Sequence, residues 1–520
     1  MNPEISKIIR ERGLLLEKEV YELVDSFDDV RLVREFLEHL EKVSRSKVIT
    51  KSVLNMDVGY VKRVVSKLEG GREVVDRMSL GLVSIGVSKG VEERGAGEGK
   101  EEGNQLGYKV FYADTKPDKK IEVSDFTNHF RARFQQIQGM LMARAELQQG
   151  LVSIGKISSD RQSCSIIGIV SEKRATKNRN LIFKFEDLTG SINALVKVDR
   201  KEVFEKAECL QLDDIVGLKA SGSREMLFIQ DVFFPEAMKY EKVKFKENFD
   251  IGFLSDIHIG SNKHLKKEFE SFLKWLNEDE RAKKIRYLFI VGDNVDGVGV
   301  YPGQEGNLEL KSYEEQYSKL AECLNRIPKR ITIFMCPGQH DASRVAEPQP
   351  LINKRYAREL YDIENLVLVT NPCMVKLIEG EDEFKVLMYH GGSIHHFINE
   401  IKELRLMKAH KTPARAVREM LKRRHLAPSH GVSPSLVYIP NAEKDPLVIS
   451  EVPDVLCTGE VHRLDIDNYN GILILTGSCW QSQTDYEEKF GNEPDPCKVP
   501  VLNLKTRELK IYDFSRDDEN

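Results

Sequence analysis

The sequence has no run of about 18 apolar residues, the length that spans a bilayer, and its opening "MNPEISKIIRERG" has no apolar signal core. Neither a membrane segment nor a secretory leader is expected, and the expected location is cytoplasmic. The eight cysteines (Cys164, Cys209, Cys323, Cys336, Cys373, Cys457, Cys479, Cys497) are scattered and include no CxxC pair. That excludes a zinc ribbon or a disulfide scaffold and fits a reducing compartment. A formal net charge of −5 excludes a chain that is basic throughout, so any nucleic-acid surface must be local. Histidine is nearly missing from the first half: of 12, only His39 and His129 precede residue 250. Histidine-dependent chemistry therefore belongs to the C-terminal half.

What is present divides along the chain. At 520 residues and 41% hydrophobic side chains, two to four domains are expected. Residues 1–75 read as a small helical module, with Leu32, Val33, Phe36, Leu37 and Leu40 recurring at helical spacing. Residues 76–107 read as a flexible linker, because "GVSKGVEERGAGEGKEEGNQLG" carries too few large apolar side chains to order itself. Residues 108–150 form a connecting segment with one helix over 125–148, its buried stripe formed by Phe126, Phe130, Phe134, Ile137 and Leu141. Core packing is favoured there over nucleic-acid contact by Arg131 and Arg133. Residues 151–240 change to strand period, and five short runs bounded by turn residues predict a small β-barrel. "FKFEDLTGSINALV" is similar to the central hairpin of an oligonucleotide-binding (OB) barrel. Such barrels bind single strands or serve as protein-contact surfaces, and the fold alone does not choose.

From residue 245 to 520, apolar strands alternate with helical stretches, as in an α/β sandwich. The strands end alike, in glycine with a carboxylate or histidine. "FLSDIHIGS" presents Asp256 and His258, "GDNVD" presents Asp293 and Asp296, and "GQHD" presents Gln339, His340 and Asp341. "YHGG" presents His390, and "GEVH" presents Glu460 and His462. Ligands bind at the carboxyl ends of strands in such sheets. Imidazole, carboxylate and amide oxygen together suit divalent metals, and a metal pair activates water and clamps phosphoester oxygens. Asp293 is best placed to be shared between two ions, and an unligated histidine, His340, can protonate a leaving oxygen.

The motif order D-x-H, GD-x-x-D, GQHD, H, GEVH resembles that of the calcineurin-like metallophosphoesterases. A barrel directly upstream resembles the small (B) subunits of replicative DNA polymerases. "APSHG", "EVPDVLCTGEVH" and "HDASRVAEPQP" are similar to the archaeal D-family small subunits in particular. The resemblance implies an α/β plus β protein: a metallophosphoesterase sandwich preceded by an OB-like barrel and a helical N-terminal module. It implies a metal-dependent 3′→5′ exonuclease paired with a large catalytic polymerase subunit, acting on single-stranded and primer–template DNA. It places Asp256, His258, Asp293 and His462 on a first ion, and Asp293, Gln339, His390 and Glu460 on a second. His340 would be the general acid and Asp341 its orienting partner. Mn is the expected metal, with Mg, Fe or Zn as alternatives. The family pattern has Asn at position 339 and His at position 460. Gln339 and Glu460 thus imply either a retuned two-metal site or a weakened second one, which would leave a scaffold subunit.

Residues 402–424 carry nine Lys or Arg and two Glu. One reading is phosphate tracking by Lys408, Lys411, Arg415, Arg418, Lys422 and Arg423; the other is a solvated helix face. Trp480 is expected to pack the core rather than stack on a base.

Overall fold

The computed structural model describes residues 106–115, 120–431, 437–485, 488 and 493–515, with 8, 9, 12, 14–16, 20, 24, 30–44, 48 and 49 nearer the N-terminus. The chain divides into two compact units, Met1–Arg94 and Gly95–Asn520. In the first, the helix Val30–Ser44 buries Val33, Phe36, Leu37 and Leu40. Leu15–Leu16 pairs in parallel with Val48–Ile49. Residues 51–75 of the expected helical module, and 76–105 of the expected linker, lie outside the described residues.

The linker's expected end is corrected by two residues. Leu106 and Gly107 open strand β1 (Leu106–Tyr112), which pairs antiparallel with β11 (Cys373–Glu379). "LGYKVFY" is aromatic and β-branched enough to add an edge strand. The expected single helix 125–148 is two: α1 (Val123–Met142) and a short turn, Ala145–Gln148. Its buried face holds Phe134, Ile137 and Leu141 as expected, but also His129 and Arg133. Phe126 and Phe130 are only partly buried. Arg133 is fully buried and donates to Asp445 Oδ2 at 2.5 Å.

Five strands then close a barrel: β2 (Gln162–Ala175), β3 (Leu181–Asp187), β4 (Gly190–Val196), β5 (Ile215–Ser223) and β6 (Met226–Phe233). Their order is β2-β3-β4-β6-β5, with β4 and β6 parallel and helix α2 (Lys201–Glu208) between β4 and β5. In the β3–β4 hairpin, Asp187 Oδ1 accepts from the backbone of Thr189 and Gly190, which fixes the turn.

The remaining strands build two six-stranded sheets packed face to face. The first includes β7 (Asp250–Ser255), β8 (Ile285–Val291), β9 (Thr332–Cys336) and β10 (Leu366–Leu368), all parallel. The second joins β1 and β11 to β12 (Asp382–Met388), β13 (Val455–Thr458), β14 (Asp465–Tyr469) and β15 (Ile472–Thr476). Two C-terminal strands, β16 (Lys498–Asn503) and β17 (Leu509–Asp513), complete the first sheet beyond β7.

Residues alternate along β8, and the alternation sets the layers. Tyr287, Phe289 and Val291 face the inter-sheet core beside Phe334, Val375, Val386 and Cys457. Leu288 and Ile290 face the opposite way, under helices α3 (Lys266–Glu278) and α4 (Tyr313–Asn325). Helices α5 (Ile394–Glu400) and α6 (Ala414–Arg423) cover the second sheet. Trp480 is 1% exposed, in the core with Phe269 and Phe272, as expected. Among the described residues, no helix is long and apolar enough to cross a membrane.

Candidate metal centre

β7, β8, β9, β12 and β13 end along one rim of the sandwich, and each hands its next residues to that rim. The turns there are unusual. Asp256, His258, Asp293, Glu460 and His462 all have positive φ, between 47° and 73°. Left-handed backbone at non-glycine residues is disfavoured and gathers at functional sites. Four of the five are held by bonds across the rim: Asp256 N–H donates to Gly292 O at 3.1 Å, His258 N–H to Asp293 O at 3.1 Å, and Glu460 N–H to Asp256 Oδ1 at 3.1 Å.

Glycine permits the close approach. A Cβ on Gly292 (φ +73°) would fall 2.2 Å from His390 Nδ1, and one on Gly338 would fall 2.2 Å from Asp293 Oδ1. The strand-end glycines thus leave room for the ligand-type side chains to converge.

The side chains converge by donor atom. Asp256, His258 and His462 form one tight cluster, and Asp256, Asp293 and His390 another. His258 Nε2 faces His462 Nε2 at 3.1 Å, and His462 Nε2 lies 3.6 Å from Asp256 Oδ1. His390 Nδ1 donates to Val291 O at 3.0 Å, so its Nε2 points inward. That nitrogen lies 3.2 Å from both Asp293 Oδ2 and Glu460 Oε2, yet neither approach has hydrogen-bond geometry. Asp256 Oδ2, Gln339 Oε1 and His390 Nε2 are buried polar atoms with no hydrogen-bond partner. Buried polar atoms are ordinarily paired. Unpartnered nitrogen and carboxylate atoms in one cluster, with an unpartnered amide oxygen at the neighbouring strand end, fit divalent ions as the missing partner.

Charge follows the same layout. Burial works to raise Asp293's carboxyl, but His390, His340 and His258 hold it well below the usual carboxylate range. Asp256 goes the other way: burial raises it, and His462 and His390 only partly offset that. Burial would lower His390, but Asp293, Glu460 and Asp256 raise it well above an ordinary histidine. Such mutual dependence is what bound cations replace.

His340 sits beside these clusters. Its Nδ1 donates to the Asp296 carbonyl at 2.7 Å, and its Nε2 lies 3.9 Å from Asp293 Oδ2. Burial works against its proton, but Asp293 and the Asp296 carbonyl raise it above the ordinary value. A protonated Nε2 facing the centre suits proton donation.

Asp341 does not orient His340. Its Oδ2 accepts from Gly338 N and from Asn294 N and Nδ2, and its Oδ1 accepts from Tyr317 at 2.8 Å. It ties the β8 and β9 turns to α4 instead. The side chain that does orient a ring is Asp296, whose Oδ1 lies 3.0 Å from His258 Nδ1. Gln481 Nε2 donates to that same Oδ1 at 3.1 Å, and Gln304 Nε2 to Asp296 Oδ2 at 3.2 Å. The second carboxylate of GD-x-x-D was a visible signal for Asp296. Gln304 opens a short helical turn, Gln304–Asn307, that carried none. Asn371, whose Oδ1 accepts from His390 N at 2.9 Å, also lacked a signal.

The basic segment 402–424 splits. Arg423 is 3% exposed and donates to Asp214 Oδ1 at 2.8 Å and to Cys209 O at 2.7 Å, both in the barrel. It also pairs with Glu419. Arg418 pairs with Asp467, and Lys422 lies 3.6 Å from Glu419. Of these three, expected among DNA contacts, Arg423 and Arg418 tie α6 to neighbouring elements, Lys422 pairs within α6, and only the buried Arg423 is closed to DNA. Lys411 is exposed and 3.3 Å from Glu493. Lys408 and Arg415 are exposed.

A protein-family model for the B subunit of DNA polymerases alpha and epsilon matches residues 251–464, the span that holds every expected metal ligand above. The DNA polymerase II small subunit of Methanothermobacter thermautotrophicus is 35% identical over 401 residues, covering 76% of this chain and 80% of that one. The chain belongs to the archaeal DNA polymerase II (D-family) small-subunit family. The small subunit of Thermoplasma acidophilum is 34% identical, covering 78% of this chain and 81% of its own. That of Pyrococcus furiosus is 36% identical, and the match spans 64% of its length. A solved archaeal phosphodiesterase aligns with 51% of this chain at 12% identity and a TM-score of 0.25, too slight a likeness to decide anything.

Proposed function

We propose that this small subunit is a metal-dependent 3′→5′ exonuclease that works beside a large catalytic polymerase subunit and trims single-stranded DNA ends. The observation that carries the reading is the set of unpartnered buried atoms, Asp256 Oδ2, Gln339 Oε1 and His390 Nε2, gathered on one rim with His258, Asp293 and His462. Asp256, His258, Asp293 and His462 would hold one divalent ion, and Asp293, Gln339, His390 and Glu460 a second. When bound, the pair supplies Lewis-acid charge and a nucleophilic water near neutral pH. The protein's own part is to position and to move a proton. Asp293 is aimed by its left-handed backbone and by the His340 N–H, which donates to Oδ1 at 2.8 Å. His340 Nε2 gives its proton to the leaving oxygen, while Nδ1 stays fixed on the Asp296 carbonyl. Mn suits this mixture of nitrogen and oxygen donors, and Mg, Fe or Zn are alternatives.

The barrel's strand order, its parallel β4/β6 pair and the α2 position support an OB-like reading. The exposed Lys408, Lys411 and Arg415, with the partly exposed Arg418 and Lys422, are candidates for phosphate contact. A second reading, a scaffold subunit with a weakened site, is favoured by Gln339 and Glu460, which both fall on the second ion.

The test uses the purified chain, alone and with its large subunit, given Mn²⁺ and 5′-labelled single-stranded DNA beside Asp293→Ala. Shortening from the 3′ end, absent in Asp293→Ala, is the expected result. No shortening with any divalent metal would leave the scaffold reading standing.

A further inference from the structure

We propose that His395 is a positioning residue of the second ion pocket, and that His395 and Glu460 together make that pocket selective for a hard, oxygen-seeking cation. The inference rests on the two-ion reading above and goes beyond it, because it assigns a residue and a preference that the strand-end motifs do not contain.

Glu460 enters the centre in a constrained way. Its φ is +73°, and its N–H is tied to Asp256 Oδ1 at 3.1 Å. One carboxylate oxygen, Oε2, lies 3.2 Å from His390 Nε2 inside the pocket. The other, Oε1, faces outward and lies 3.8 Å from His395 Nε2. A glutamate has three side-chain torsions, and held at one end only it would sample many positions. The His395 ring, 3.8 Å from the other oxygen, closes off that side of the range and favours the position that presents Oε2 to an ion.

The fold brings the two close. His395 lies in the first turn of α5, whose start is fixed by Ile394 N–H donating to Gly391 O at 2.8 Å. Gly391 has φ +122°, and a Cβ there would fall 2.7 Å from Ile394 Cδ1 and 3.3 Å from Glu460 Cβ. The segment that carries His395 is thus packed directly on the Glu460 side chain. His395 itself keeps 38% of its side chain exposed, so it stands at the mouth rather than in the core.

The chemistry separates the two pockets. The first offers two imidazole nitrogens, from His258 and His462, and two carboxylate oxygens, from Asp256 and Asp293. The second offers one imidazole, His390, against three oxygens, from Asp293, Gln339 and Glu460. The second pocket is built in part from buried unpartnered atoms, Gln339 Oε1 and His390 Nε2. Oxygen-rich sets favour Mn²⁺ or Mg²⁺, and imidazole-rich sets favour Zn²⁺. The side chain whose family counterpart is a histidine is therefore the one that turns the second pocket hard, and His395 is what keeps it in place.

The experiment is metal binding to the metal-free full-length chain, read by calorimetry and by the Mn²⁺ electron paramagnetic resonance signal, with no substrate present. The unaltered chain should take two Mn²⁺, with Zn²⁺ displacing one of them preferentially. In His395→Ala, one Mn²⁺ should weaken about tenfold or more, the size of effect typical when a ligand's support is lost, while the other is unchanged. His395→Gln, which keeps a planar polar group of similar reach, should hold both. The exchanged pair, His395→Glu with Glu460→His, should again take two ions but give both up to Zn²⁺. Two Mn²⁺ sites of unchanged affinity in His395→Ala, or retained Mn²⁺ preference in the exchanged pair, would overturn the proposal and leave the two-ion reading intact. Fewer than two Mn²⁺ in the unaltered chain would overturn both.

Discussion

Asp296 Oδ1 and His258 Nδ1 meet at 3.0 Å, and that contact fixes which nitrogen of His258 faces the centre. The carboxylate accepts the Nδ1 proton, so Nε2 carries the lone pair and is presented toward His462 Nε2. A carboxylate behind a ligating histidine sets its tautomer and raises its basicity. Asp296→Ala removes that support without removing any ion-facing donor. We expect the affinity for the first ion to fall by about 10- to 100-fold, measured by calorimetry, with the second ion little affected. An unchanged affinity would mean that the His258 ring is held in place without the Asp296 carboxylate.

The centre's donors were legible in the sequence because each follows its own strand. An apolar run that ends in glycine and a carboxylate or histidine can be read locally. Partners contributed from elsewhere could not be read that way. Asp341 looked like the orienter of His340 because it is the next residue, yet its carboxylate faces Asn294, Gly338 and Tyr317. Arg423 looked like a DNA contact because its neighbours in sequence are basic, but its partner Asp214 is 209 residues away. The start of β1 was hidden for the same reason: Leu106 and Gly107 are ordered by β11, not by their own glycine-rich surroundings.

Arg423 gives a prediction that separates structure from DNA binding. Arg423→Ala leaves Asp214 buried without its guanidinium, and Asp214 is 2% exposed. Breaking a buried pair from one side destabilises by about 3–5 kcal/mol. Arg415→Ala, at an exposed position on the same helix, should change stability by less than about 0.5 kcal/mol. Denaturant melts compare the two. If Arg415 touches DNA, its removal should instead lower affinity and reduce the salt dependence by about one ion.

His425 predicts how stability responds to acid. Its Nδ1 accepts the Ala427 N–H at 3.1 Å and its Nε2 lies 2.9 Å from Asp445 Oδ2, so the neutral ring satisfies both neighbours. Burial is the main cause that pushes it down to about 4, with Arg133 adding to it and Asp445 opposing. An unfolded histidine titrates near 6.5. Between those values the unfolded chain binds a proton that the folded chain refuses, so stability rises with pH across that window. Lowering the pH from 7 to 4 should remove about 3 kcal/mol through this residue alone. His425→Gln keeps a donor toward Asp445 but cannot titrate, so the fall in thermal midpoint between pH 7 and pH 5 should shrink. An identical fall in both proteins would assign the acid sensitivity elsewhere.

Gly338 tests whether the shape of the centre matters apart from its donors. No ligand-type side chain changes in Gly338→Ala, and Gly338 is not among the glycines with positive φ, so an alanine meets no backbone penalty there. What it meets is Asp293: the added Cβ would fall 2.2 Å from Oδ1, 2.5 Å from the Asp293 backbone nitrogen and 2.8 Å from His390 Cδ2. Neither neighbour can yield easily, because Asp293 Oδ1 is held by the His340 N–H and the His390 ring by Val291 O. Overpacking of this kind destabilises by about 1–3 kcal/mol. The larger effect should be on binding, since Asp293 is the one side chain that both ions would share. We expect Gly338→Ala to lose both Mn²⁺ ions together while Asp296→Ala loses chiefly one, so that paired calorimetric titrations distinguish a shared ligand from a supporting one. Retention of either ion in Gly338→Ala would show that Asp293 does not bridge.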